Sequence, residues 1–105
     1  MKKLSKKEIK TMAATVYSKL EKEQRKEIEN DKELLNKKYK LVIQQLAMNE
    51  LSVIRPEVYE LIISLAKESL QLYANKEDDS NKKKELTENY EKFLVPIIEA
   101  VNEMF

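Results

Sequence analysis

The side chains in this sequence with the means to do chemistry are almost all carboxylates and ammonium groups, and their spacing argues against catalysis. Lys and Arg number 20 and Asp and Glu 19, while His and Cys are absent. The usual near-neutral acid–base group, the thiolate nucleophile and the common zinc ligands are therefore missing, and a Ser-His-Asp arrangement is impossible. No Gly is present either, which removes the phosphate-cradling loops of nucleotide-binding motifs. Paired catalytic carboxylates need an apolar pocket that raises one pKa. The acids here instead alternate with bases, as in Glu21 and Arg25, four residues apart, which is the pattern of a solvated helix face. No Asp or Glu is expected to interrupt an apolar stripe. Glu77, Asp78 and Asp79 lack the spacing and the glycine of a calcium loop. These absences point to a protein that is not an enzyme, with no cofactor, no metal and no small-molecule substrate.

Two lysine clusters offer the alternative chemistry of phosphate binding: Lys2, Lys3, Lys6, Lys7 and Lys10 near the amino end, and Lys37, Lys38 and Lys40 further on. A few neutralised phosphates give weak, salt-sensitive affinity. The third cluster, Lys82 to Lys84, is cancelled by the neighbouring Glu77, Asp78, Asp79 and Glu85. The formal charge of +1 supplies no global field toward nucleic acid or anionic lipid. Of the five tyrosines, Tyr17, Tyr39, Tyr59, Tyr73 and Tyr90, at least three are expected at stripe edges, where the ring is buried and the hydroxyl reaches water, with Tyr59, which begins the second side of the third helix, the exception that would meet a partner.

Helices must position all of these groups. The chain is 42% hydrophobic and 37% charged over 105 residues, enough for one modest core, so residues 1–105 are expected to form a single helical domain. Without Gly, tight β-hairpin turns lack their preferred residue. Ser5-x-x-Glu8 has the form of a capping box, and Ile9, Met12, Ala13, Val16 and Leu20 continue as one apolar stripe. The stripe then dies across Glu21 to Glu33, where only Ile28 is large and apolar. A second capping box at Asn30 and Glu33 predicts a second helix from Asp31 to about Leu51, with Leu35, Tyr39, Val42, Ile43 and Leu46 facing inward; a helix continuous through Asn30 is the competing reading. Pro56 suits the first turn of a third helix reaching about Asn75. KEDDSNKKK reads as a loop, and Asp79 or Ser80 is expected to cap a fourth helix bearing Leu86, Tyr90, Phe93, Leu94, Ile97, Ile98, Val101 and Met104. Pro96 inside that helix is expected to kink or break it near Leu94 and Val95.

The third helix is more apolar than one buried face requires. Val58, Leu61, Ile62, Leu65, Leu72 and Tyr73 point in one direction, and Tyr59, Ile63, Ala66, Leu70 and Ala74 extend the apolar zone round a second side. Its polar strip spans only about a third of the circumference. Such a helix needs neighbours on two sides, either partner helices of its own bundle or another protein. The expected architecture is an all-α, antiparallel four-helix bundle kinked near Pro96, binding a protein partner or a second copy of itself. Tyr59, Ile63, Ala66 and Leu70, with Met104 and Phe105 at the tail, are the candidate contact residues. The runner-up is weak nucleic-acid association through the amino-terminal lysines. The charged amino end is unlike a secretory signal, and Glu60, Lys67 and Glu68 break the longest apolar region, so a cytoplasmic location is expected. The richness in Lys, Glu, Asn and Ile has the flavour of a low-GC bacterium or its phage. In size and helix plan the chain resembles the immunity proteins that protect Gram-positive bacteria from their own bacteriocins, a likeness that implies a compact helical bundle with a regulatory, inhibitory or immunity role.

Overall fold

The computed structural model describes residues 2–76 and 80–105. They form six helices: α1 (Lys6–Lys19), α2 (Lys22–Asn30), α3 (Leu34–Lys37), α4 (Lys40–Ile54), α5 (Pro56–Ala74) and α6 (Ser80–Glu103), with no strand among the described residues. The fold is thus all-helical, with more elements than the four expected, because the region between the first apolar stripe and α4 breaks up rather than continuing.

The first break has a clear cause. Leu20 turns its backbone to an extended conformation and buries its side chain in the core, and the next helix starts at once, with the Gln24 side chain accepting the Glu21 backbone N–H at 3.0 Å. α2 is polar except for Ile28, which is fully buried and anchors it. At the second break, the Asp31 carboxylate accepts the Glu33 backbone N–H at 3.1 Å. This local turn replaces the capping box expected between Asn30 and Glu33, since short polar side chains compete with the helix for backbone donors. Tyr39 then separates α3 from α4, its ring buried and its hydroxyl on the Glu27 carboxylate of α2.

At the starts of α1 and α5 the expected punctuation holds. Ser5 Oγ accepts the Glu8 N–H at 3.1 Å while Glu8 Oε1 accepts the Ser5 N–H at 3.0 Å, closing the capping box of α1. Glu8 also makes a long-range contact, since Arg55 donates to its two carboxylate oxygens at 2.9 and 3.1 Å. Arg55 ends α4 and precedes Pro56, the first residue of α5, so this forked ion pair pins three helix ends together. The guanidinium holds the Glu8 carboxyl down at about 2. α6 begins at Ser80, so Asn81 to Lys84 are helical rather than loop; Glu77, Asp78 and the Asp79 cap lie outside the described residues. α6 also runs without a break through Leu94, Val95 and Pro96. One missing donor at Pro96 is tolerated where Phe93, Leu94, Ile97 and Val101, all buried, hold both sides of it in the core.

α1 and α5 each pack against both α4 and α6, and α4 packs on α6. The core comprises Met12, Val16 and Leu20 of the first segment, Ile43 and Leu51 of α4, Val58 of α5, and Phe93 and Ile97 of α6. The molecule measures 44 × 28 × 16 Å. Helices pack about 8–10 Å apart, so the short dimension holds only two layers. A slab of that thickness leaves α5 with one side unlayered.

Candidate protein-binding groove

That open side is a groove. α1 packs on α4 and α6 but stops at Lys19, and the inward stripe of α6 starts earlier, at Leu86 and Tyr90, both only half-buried. Where α4, α5 and α6 meet at this end, a cavity of about 550 Å³ lies open to solvent. Its walls are Leu41 and Met48 of α4, Ile63 and Ala66 of α5, and Leu86 and Tyr90 of α6, with Ile62 and Leu94 beneath. Gln44, Gln45 and Thr87 are the polar residues of the lining. Gln44 donates a hydrogen bond to the Tyr90 hydroxyl, and burial raises the Tyr90 pKa. The same pair borders a second, smaller cavity of about 240 Å³ against Leu35, Lys40 and Ile98, so Gln44 and Tyr90 form a partition between two hollows along the α4–α6 seam.

The residues expected to meet a partner fall into two places. Tyr59, Ile63 and Ala66 are half-buried, and Leu70 is 69% exposed. Together with Tyr73 they lie within about 80° of arc on α5, so they form one seam beside the groove. Tyr73 belongs to this seam and is 76% exposed, correcting its expected place on the core side. The tail residues are elsewhere. Phe105 packs on the Tyr17 ring, centroids 5.0 Å apart, and the Arg25 guanidinium lies over the same tyrosine, 5.4 Å from its centroid. Phe105 thus closes an intramolecular corner between α1, α2 and the carboxyl end, while Met104 is 44% exposed.

Periodicity did not reveal every participant. Leu41 is 77% exposed at the groove mouth, and the sequence signal for it was only an apolar residue out of phase with Ile43, Ala47 and Leu51. Val42, expected inside, is 38% exposed, and Val53 is 74% exposed; both lie about 100–120° from Leu41 round α4, away from the groove. Glu50 contradicts the expectation that no acid enters a buried stripe: it is 7% exposed and receives Lys19 Nζ at 2.6 Å. The stem of Lys19 reaches in from the last turn of α1 and makes that burial tolerable.

The basic clusters are differently disposed. Lys37 pairs with Glu33 at 3.0 Å and Lys38 with Glu27 at 3.0 Å, so most of the second cluster is neutralised by neighbours. The Tyr39 hydroxyl and then the Lys38 ammonium donate to Glu27, which lowers the Glu27 pKa. Lys2, Lys3, Lys6, Lys7 and Lys10 are exposed. Among the described residues no group of three or more acids could hold a metal ion, and no helix is long and apolar enough to cross a membrane. No protein-family model, curated protein or solved structure matches the chain.

Proposed function

We propose that this protein works by binding protein, without catalysis of its own, and that the contact surface is the groove between α4, α5 and α6 with the α5 seam at its edge. The observation that carries this reading is the apolar hollow of about 550 Å³ at the uncovered end of the core, flanked by Leu41 and Leu70, which are 77% and 69% exposed. Apolar groups clustered in this way rarely face water without a partner. The seam from Tyr59 to Tyr73 is about 21 Å long, the length of four helical turns, and an amphipathic helix laid beside it would complete the layer that α1 leaves unfinished. Burial of each large apolar side chain contributes about 1.5–3 kcal/mol before association costs.

The bundle then serves as a rigid support, in keeping with a regulatory, inhibitory or immunity role in the cytoplasm. The test is capture of a partner by the tagged chain and by Ala66→Glu and Leu70→Glu variants that keep full helicity. Loss of the captured protein in both variants is expected. Retention by both would remove the groove from the function.

A further inference from the structure

The α5 seam has a shape that selects its occupant, and we infer that the occupant is a second copy of this chain, bound antiparallel through α5. This rests on the groove being the contact surface. Tyr59, Ile63, Ala66, Leu70 and Tyr73 follow one another at steps of four, three, four and three, which is the spacing of a two-stranded helical seam. Along that seam exposure changes in a directed way. Ile63 and Ala66 are half-buried and line the hollow, whereas Leu70 and Tyr73 are 69% and 76% exposed and project. One end of the seam is therefore recessed and the other raised.

A two-fold contact must be self-complementary, each residue meeting its mate's counterpart reciprocally. Parallel pairing would set the raised ends against each other and leave the hollows empty. Antiparallel pairing about a point midway between Ala66 and Leu70 places Leu70 of each copy over Ala66 of the other, and Tyr73 over Ile63 at the edge of the other's hollow. The small Ala66 side chain lets the large Leu70 seat, and both contacts occur twice. Seating each raised end in a hollow also brings the groove mouths, with Leu41, to the rim of the contact. A standard interface takes about 800 Å² from each partner, about one ninth of the 7204 Å² surface of this chain. A formal charge of +1 opposes self-association very little.

The absence of Cys makes register directly testable. Sedimentation velocity of the purified chain from about 1 to about 100 µM, the range in which a micromolar contact fills, should show an average mass that climbs toward twice the 12.4 kDa of the monomer. Leu70→Glu, at a side chain already exposed, should weaken the dimer at least tenfold with helicity unchanged. Ala66→Cys and Leu70→Cys chains, mixed and oxidised, should form a disulfide dimer that neither variant forms alone, because only the antiparallel register brings position 66 to position 70. A monomer throughout the range would overturn the inference, as would a dimer untouched by Leu70→Glu or one cross-linked by either variant alone. Capture of another protein through Ala66 and Leu70 by a chain that stays monomeric would overturn the second copy while leaving the groove in its proposed role.

Discussion

The Lys19–Glu50 pair is expected to respond very differently to loss of its two halves. The Glu50 side chain is 9% accessible and the Lys19 side chain 47%, so the carboxylate is the dehydrated partner and the ammonium is half in water. Removing one partner of a fully buried pair costs about 3–5 kcal/mol. With Lys19 half-hydrated, and with water able to follow once its stem is gone, Lys19→Ala should cost less, about 1–2 kcal/mol, or about 5–10 °C in melting temperature for a domain of this size. Glu50→Leu removes the charge that needed a partner and fills its place with apolar volume, so it should lie within about 1 kcal/mol of wild type. The double variant should match Glu50→Leu to within about 0.5 kcal/mol, since Lys19 then has nothing to neutralise. Urea titration followed by far-ultraviolet circular dichroism measures all four proteins. A neutral Lys19→Ala together with a Glu50→Leu costing more than about 2 kcal/mol would refute the reasoning.

Three further outcomes are expected. The Glu8 pKa is lowered from 4.5 to about 2 by Arg55 and the Ser5 N–H, so its contribution is complete above the unfolded value and is lost as pH falls toward about 2; melts of wild type and Glu8→Gln should differ at neutral pH and converge at the acid end, and a difference that grows on acidification would contradict the pairing. Pro96→Ala restores a helix donor facing the Lys92 carbonyl and should stabilise the fold by about 1–2 kcal/mol in urea, whereas destabilisation would mean that the ring itself packs. Leu65→Glu, at a buried position, should unfold the chain, while Leu70→Glu, at an exposed one, should change the stability of the monomer, measured well below the concentrations at which the chain pairs, by no more than about 0.5 kcal/mol.

Where one strong local rule acted alone, sequence and structure agree. The Ser5–Glu8 capping box and Pro56 at the first position of α5 are both in place, because each is satisfied within a single turn of chain. The α2–α3 region resisted because two weak preferences competed there. Asn30 and Glu33 have capping-box spacing, but Asp31, in between, turns the backbone for its own hydrogen bond. The Gln24 cap was equally local, yet its acceptor is an amide following Glu21 rather than a Ser or Thr. The apolar excess of α5 was legible, but which of its residues project was not. Tyr73 and Leu70 are exposed, while Ile63 and Ala66 are half-buried, because α4 and α6 cover α5 unevenly along its length, and helical phase carries no information about a neighbour's reach. Glu50 was hidden for a similar reason: its partner stands 31 residues away.

A photoreactive side chain placed at Leu70 and, separately, at Val53 tests the central claim most directly. Both positions are exposed, at 69% and 74%, and both are apolar, but only Leu70 lies on the groove side. Illumination should cross-link Leu70 to a second polypeptide in high yield and leave Val53 as monomer. Equal yields at the two positions, or adducts only at Val53, would show that the partner surface lies on another face of the molecule.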